Sequence, residues 1–424
     1  MAQEETIGTV EPIARRPLWQ RIATWAGIGI VSLMLLVGVV LLGLDTQPGK
    51  RFLIRQVAAL QLESGMTIQI GRIDGSIYSD MRIHDLVLRD PKGVFAVSPL
   101  VKVVWKPFRY INGHISVSEL TSPLIVLART PQFNTVKSDP NAPLLPDLDI
   151  DVDRLVIKQL ILAKPVTGER RIVAIDGSAH IADGRAQLET RARADSGDSL
   201  AARLDAVPAQ NRLAMQGRLF APAGGVVARM AGLTDAMTMT LDGKGSWQSW
   251  AGQLRATSPK GELASIALVA RDGSFSAKGP LRPGLIMDGP IQRLTSPALV
   301  IDMTAALAKR RVDLRASLTS DAMTASAGGQ VDLGESRFGA LKIEARLLTP
   351  GAIMDKVKGR DVRASVTLDG PFATPFIDYD ISAAQLAFDA TGVEGLHASG
   401  RALIDADRIR IPVNATARRV TGLN

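Results

Sequence analysis

The residues that could carry chemistry in this sequence are few and scattered. His84, His114, His180 and His397 are its only histidines, and each stands among alternating apolar and polar residues. Zinc-type sites need ligands a few residues apart or a short carboxylate motif beside them, and none of the four has either. Each is read as a solvated strand residue. Asp147, Asp149, Asp151 and Asp153 could offer calcium its oxygens, but Leu148, Ile150 and Val152 alternate with them and the glycine of an EF-hand loop is missing. That pattern reads as the wet face of a strand. Gly243-Lys244-Gly245-Ser246 has too few glycines at the right offsets to cradle phosphate and follows an Asp-Gly pair, so it reads as a hairpin. No nucleophile elbow, phosphate loop or His-Glu-x-x-His helix is found. With no cysteine, disulfides, thiol nucleophiles and Cys-built zinc sites are excluded. The expectation is a protein that is not an enzyme and holds no cofactor or metal.

The elements that such residues decorate decide the rest. Of the 424 residues 46% are apolar and 22% charged, the balance of a folded protein. Glycine (38) and proline (23) are plentiful while aromatics reach only 4%, which suits short strands of small aliphatic side chains joined by turns. The formal charge is +8, yet basic residues such as Arg408, Arg410 and Arg418 are spread among apolar ones and do not cluster with aromatics that could stack bases. Nucleic acid is not an expected partner. Anionic lipid head groups suit the charge better.

From Ile22 to Leu44 no residue is charged, between Arg21 and Asp45. A helix needs about 20 apolar residues to span a bilayer, whereas a signal peptide needs an apolar run of only about 7–15. The run ends in Val39-Val40-Leu41-Leu42-Gly43-Leu44 without a small-x-small cleavage pattern, so it reads as an uncleaved anchor. Trp19 and Trp25 stand near its start, where interfacial indoles are favoured. Arg15, Arg16 and Arg21 lie closer to the run than Lys50, Arg51 and Arg55, which favours the N-terminus inside and the body outside. The expected organisation is a cytoplasmic tail (1–21), a transmembrane anchor (22–44), a short helix and first β segment (45–130), a Pro-rich loop (131–146) and a continuing β region (147–424).

After Gly65 the apolar period changes from 3.6 to 2. Ile115 and Val117 alternate with His114, Ser116 and Ser118; Val312 and Leu314 alternate with Arg311, Asp313 and Arg315; Leu341 and Ile343 alternate with Lys342 and Glu344. Ile409, Ile411 and Val413 alternate with Arg408, Arg410 and Asn414. Each run reads as a strand with one dry and one wet face. Asp-Gly pairs at 74–75, 176–177, 183–184, 242–243, 272–273, 288–289 and 369–370 are hairpin signals. Helical patterns are short, near Val226–Ala231 and Gly351–Val357. At roughly 15 residues per strand and turn, about 24 strands are expected. Their dry faces could be covered in a transmembrane barrel, in β-sandwiches, or in a long sheet folded over lengthwise whose apolar interior is filled by something else. One pattern continuing through the body favours the last, with Met215, Leu241, Ile301 and Val366 facing the interior and Gln216, Asp242, Asp302 and Thr367 facing away.

The order of these features resembles the TamB family, the inner-membrane subunits of the translocation and assembly module within the AsmA-like superfamily. The resemblance rests on the anchor, the Pro-Gly helix, Ile68-Gln69-Ile70-Gly71-Arg72-Ile73-Asp74-Gly75-Ser76, Ile83-His84-Asp85-Leu86-Val87-Leu88-Arg89-Asp90 and Asn112-Gly113-His114-Ile115-Ser116-Val117. Farther on it rests on Gly243-Lys244-Gly245-Ser246-Trp247 and Gly370-Pro371-Phe372-Ala373-Thr374-Pro375. Family members are longer, so the resemblance is to their N-terminal part. It implies a single-pass protein of the bacterial inner membrane with its body in the periplasm, moving phospholipid along a β-groove toward the outer membrane. An Omp85-type barrel partner is implied through a C-terminal region that this sequence does not include. The alternative is a scaffold that templates barrel strands during outer-membrane protein assembly.

Overall fold

The computed structural model describes residues 40–60, 62, 64–132, 149–182, 185–207, 210, 212–246, 248–308, 310–354, 356–372, 374–405 and 408–422. The chain divides into two compact units, Met1–Gln56 and Val57–Asn424. In the first, residues 40–44 are helical and helix α1 (Gln47–Ala59) begins, with Pro48 in its first turn. Among the described residues no helix is long and apolar enough to cross a membrane. The expected anchor lies outside the described residues up to residue 39, as do Trp19 and Trp25.

The second unit is built on one mixed sheet of 25 strands with few short helices. Its first edge is double: β1 (Thr67–Gln69) and β2 (Arg72–Gly75) both pair with β3 (Asp80–Asp90). Next come β4 (Gly93–Trp105) and β5 (His114–Leu127), antiparallel. An antiparallel meander then runs through β6 (Asp149–Leu162), β7 (Arg171–Ala182), β8 (Arg185–Ala194), β9 (Ser199–Val207), β10 (Arg212–Ala221), β11 (Met237–Gly245) and β12 (Ser249–Ser258). It continues through β13 (Gly261–Arg271), β14 (Ser274–Leu281), β15 (Leu299–Ala308), β16 (Arg311–Thr319), β17 (Met323–Asp332) and β18 (Arg337–Leu347). The short β19 (Val357–Arg360) pairs with the far end of β21 (Phe376–Phe388), and β20 (Val362–Pro371) lies between β18 and β21. β22 (Thr391–Asp405) follows, with β23 (Arg408–Arg410), β24 (Asn414–Thr416) and β25 (Arg419–Thr421) along its other side.

One step breaks the meander. β5 and β6 are parallel, His114 opposite Asp149 and Leu127 opposite Leu162. A parallel pair needs a crossover of a dozen or more residues, and the Pro-rich stretch supplies it; its residues 133–148 lie outside the described set. The crossover leaves β5 under a clamp. Asp90, at the β3–β4 turn and 5% exposed, accepts bonds from the Lys92 amide (2.8 Å), the Gln132 amide (2.6 Å) and both terminal nitrogens of Arg129. Arg129 also donates to the Gly93 carbonyl at 2.8 Å. Nearby, Ser98-Pro99 in β4 and Ser122-Pro123 in β5 face each other across irregular register. Proline has no amide to give the ladder, so it sits at a bulge. The two buried serine hydroxyls, 3.0 Å apart, bond the carbonyls of Leu100 and Leu124 instead.

The Asp-Gly pairs do not all turn the chain. Asp272-Gly273 makes a two-residue hairpin with both φ positive, 48° and 79°, the left-handed geometry that fits strand twist. Ala182 pairs with Arg185 across Asp183-Gly184, which lie outside the described residues. Asp176-Gly177 and Asp242-Gly243 instead lie inside β7 and β11, and Asp288-Gly289 precedes a helix. Gly243 has a packing reason to be glycine. The Trp250 indole, from the paired strand β12, lies over Gly243 and Gly252, and a Cβ added at 243 would stand 1.9 Å from its ring.

Connections at the two ends of the strands differ. At the end where β4 reaches Trp105 the described connections include short hairpins and the 3-10 turn η1 (Pro107–Asn112). The opposite end carries the short helices α2 (Lys164–Thr167), α3 (Val226–Ala231), η2 (Pro283–Leu285), α4 (Pro290–Thr295) and η3 (Pro350–Ala352). Neighbouring connections there are tied together. Glu169 pairs with Arg229; the buried Asp198 carboxylate accepts the Val226 and Val227 amides at the start of α3; Thr234 donates to the Ile286 carbonyl; Arg293 donates to the carbonyls of Ala352 and Ile353. Beneath them Leu233, Leu285 and Ile286 pack on Ala264, Ile266 and Ala277, the best-buried cluster.

Two outcomes are expected from this packing. Arg129 holds the Asp90 carboxyl well below the usual carboxylate range, with burial opposing and the Gln132 and Lys92 amides assisting. A group depressed on folding stabilises fully above its unfolded pKa of about 3.9 and loses that contribution as pH falls through the folded value. Asp90→Asn should therefore lower the urea midpoint at pH 7, and its gap from the parent should narrow below about pH 4. Gly243→Ala should cost about 1–3 kcal/mol by overpacking against Trp250, read from urea unfolding followed by circular dichroism. A variant as stable as the parent would show that the indole yields freely.

A continuous apolar face as the candidate functional site

Directly paired residues in a sheet share a face, so the register traces each face strand by strand. One row begins at Trp105 and passes through Val117, Val152, Ala179, Leu188 and Leu204 to Met215. It goes on through Gly243, Gly252, Leu268, Ala277, Met303, Ala316 and Ala327. It ends through Ile343, Val366, Tyr379 and Gly400. Every strand from β4 to β22 except β19 contributes one member, and none of them is charged. At about 4.8 Å per strand the row covers a path on the order of 80 Å along the sheet.

Rows two residues to either side share that face. Ile115, Ile150, Ile181, Ala186, Ala206 and Leu213 form one on the early strands. Leu241 meets Gly217 and Leu254, Ile301 meets Gly279 and Leu318, and Leu314 meets Ala305 and Gly329. The expected interior residues Ile115, Val117, Met215, Leu241, Ile301, Val312, Leu314, Leu341, Ile343 and Val366 thus all stand on one face. Ile409 is paired opposite Ile404, but the expected strand breaks after Arg410, and Ile411 and Val413 lie in the break, 59% and 61% exposed. Spacing alone does not single out Leu188, Leu204, Leu268 or Met303, which the register brings into the row.

The opposite face is polar. Gln216, Asp242, Gln253, Ala267, Lys278, Asp302, Ser317, Ser326, Glu344, Ser365, Asp380 and Ser399 form its matching row. Charges there neutralise one another across strands: Lys278 donates to Asp302 at 2.7 Å, and Arg401 to Asp378 at 2.6 Å and 3.0 Å. The Arg401 guanidinium holds the Asp378 carboxyl below its ordinary value. Every histidine also finds an aspartate. His84 lies 3.0 Å from Asp74, His397 3.3 Å from Asp380, and His114 and His180 lie 2.7 Å and 3.2 Å from the two oxygens of Asp151. Sequence spacing hides these pairs because they form between strands. Among the described residues no group of three or more His, Asp or Glu is arranged to hold a metal ion.

A bulge keeps the apolar face intact where the sequence would break it. Phe338 and Leu341 have opposite parity in β18, so a regular strand would send them to opposite faces. Ala340 takes a left-handed φ of 49° and absorbs the extra residue. Phe338 then pairs with Val331 and packs its ring 4.7 Å from that of Phe372. On β16 the contrast is plainest: Val312, Leu314, Ala316 and Leu318 are half-buried while Arg311, Asp313, Arg315, Ser317 and Thr319 are exposed. Among the described residues no large side chain is fully buried. On this face Ala186, Ala206, Ala277 and Leu341 are buried, while Leu188 and Ile343 are exposed.

No protein-family model matches this chain, and neither do any curated protein or any solved structure.

Because the protein has no cysteine, single cysteines can report each face. An environment-sensitive dye on Met303→Cys should emit at shorter wavelength than the same dye on Asp302→Cys. Equal emission from the two neighbours would contradict the assignment of faces.

Proposed function

We propose that the sheet folds over lengthwise and that its apolar face lines a groove along which phospholipid acyl chains slide. The observation that carries this reading is the uncharged row running from Trp105 to Gly400 without a charged interruption. Exposing roughly thirty lipid methylenes to water costs on the order of 25 kcal/mol at about 0.8 kcal/mol each. A continuous groove keeps them covered from one position to the next, so each step changes the free energy little. Such a conduit needs no catalytic residue. With the uncharged run 22–44 as its anchor, the body belongs in the periplasm of a bacterial inner-membrane protein, and the resemblance to the AsmA-like superfamily supports delivery toward the outer membrane. The same resemblance makes an Omp85-type barrel the partner there.

A second reading, a scaffold for outer-membrane barrel proteins, draws on the last edge of the sheet. β22 is covered on its outer side only by three-residue strands, and residues 410–422 are exposed throughout. An edge covered so thinly can accept a further strand from another chain.

Photo-crosslinkers separate the two. At Met215, Leu241, Ile301 and Val366 they should capture phospholipid, and at Gln216, Asp242, Asp302 and Thr367 they should not. Glutamate at a lining position puts an ion in the path of the acyl chains, whose desolvation costs several kcal/mol. Transfer between donor and acceptor vesicles should then drop at least tenfold while circular dichroism is unchanged. Equal labelling of both sets, or Glu variants that transfer lipid normally, would remove the groove and leave the scaffold.

A further inference from the structure

Aromatic residues are scarce in this protein, and two of its three tyrosines meet at one turn. η1 joins β4 to β5 with the sequence Lys106-Pro107-Phe108-Arg109-Tyr110-Ile111. Phe108, Tyr110 and Ile111 are 53%, 63% and 82% exposed, and Lys106 and Arg109 beside them are exposed as well. A loop tip facing only water gains nothing from three bare apolar side chains. Nor is the tip loosely built. Tyr78 stacks on Phe108 with ring centroids 5.4 Å apart, the Trp105 indole donates to the Ile77 carbonyl at 2.9 Å, and Gly113 closes the turn in the left-handed region at φ 71°. The apolar residues are therefore held outward by a rigid base.

The two cations select the occupant. Neither Lys106 nor Arg109 has an acidic partner among the described residues; Arg109 reaches only the Ser116 hydroxyl, at 3.5 Å. Elsewhere in the sheet Lys102, Arg185, Lys278, Arg311 and Arg401 each pair with a carboxylate across strands. Unpaired cations flanking exposed aromatic and aliphatic side chains match the head-group region of an anionic bilayer, where amphipathic rings settle and basic groups meet phosphate. The turn also belongs to the first strands after the expected anchor. We infer that η1 is a second, interfacial membrane contact, with Phe108, Tyr110 and Ile111 seated among anionic lipid head groups and Lys106 and Arg109 on their phosphates. It rests on the reading that the chain is anchored in a bilayer, but not on the lipid groove.

The test uses the full chain reconstituted in phosphatidylcholine vesicles with and without roughly 30% phosphatidylglycerol. A nitrobenzoxadiazole dye is placed on Ile111→Cys or, as a control at the opposite end of the strands, on Ala390→Cys. The dye at 111 should shift to the blue and be quenched by spin-labelled lipid in anionic vesicles, and the dye at 390 should do neither. Lys106→Gln with Arg109→Gln should lower the inserted fraction about fivefold per cation removed and leave flotation unchanged. A chain that floats with the vesicles but shows no shift at 111, or an equal shift at 390, overturns the interfacial contact alone. A chain that does not float overturns the anchor and the contact together. A shift at 111 that appears without vesicles and grows with protein concentration assigns the tip to a second protein copy and overturns the lipid contact.

Discussion

Pleat parity is the constraint on which everything else in this sheet depends. Side chains alternate with a period of two, so a slip of one residue in any ladder would carry the apolar members of that strand to the polar face. Here the same parity holds through successive strands, and the apolar row survives at every step. Where the sequence carries an odd residue, as between Phe338 and Leu341, the backbone accepts a left-handed alanine to keep the two apolar residues together. The preference for burying Phe338 outweighs the strain at Ala340, which for a residue without a bulky side chain is of order 1 kcal/mol. Paired charges on the other face add specificity more than stability, because exposed ion pairs contribute little individually. A one-residue slip would set Lys278 opposite Ile301 or Met303 in place of Asp302, which strengthens the choice of parity.

Much of this was legible in the sequence because alternation is a local property. Val312 to Leu318 and Leu341 to Leu347 announce their dry faces from spacing alone, and the register confirms that they share one. What was not legible is what depends on neighbours distant in sequence. Asp242-Gly243 carries the signature of a hairpin yet lies inside a strand, since the glycine is required by an indole seven residues farther on. The histidines read singly as solvated, and their aspartate partners become visible only when paired strands are laid side by side: β2 with β3, β5 and β7 with β6, and β21 with β22. The run from Arg408 to Ala415 alternates as cleanly as any other, but Pro412 lacks the amide that a ladder would use, and the strand divides around it. The short helices follow the same rule. Val226–Ala231 shows its pattern, whereas Pro290–Thr295, of the same length, offers only Ile291 and Leu294 as apolar positions.

The two ends of the strands divide the remaining work. At the end where β4 reaches Trp105, neighbouring turns meet through the Tyr78–Phe108 stack and through backbone bonds, the Asp272 amide donating to the Gln248 carbonyl and the Phe372 amide to the Ser336 carbonyl. At the other, Glu169, Asp198, Thr234 and Arg293 tie each connection to the next, and the best-packed apolar cluster lies under those ties. In the cap of α3, burial raises the Asp198 carboxyl while the Ser196 hydroxyl and the Val227 and Val226 amides lower it further, leaving it below its ordinary value. The charged form is the one the turn is built around. A Cβ at Gly225 would stand 2.5 Å from that carboxylate, so the close approach of the cap requires glycine. The two margins therefore differ in the kind of tie: a buried carboxylate and an apolar cluster at one, backbone bonds and ring contacts at the other.

The single parallel step also sets the order in which such a sheet can assemble. In a meander each new strand meets its partner across a short turn, so most ladders close like a zipper with little loss of chain entropy per step. β5 and β6 cannot do so, because their pairing must await closure of the long proline-containing crossover whose start Asp90 and Arg129 hold. The strands before that crossover and those after it thus form two kinetic segments, each able to zip independently. Their union depends on one slow encounter, and until it occurs β5 and β6 each present an uncovered edge.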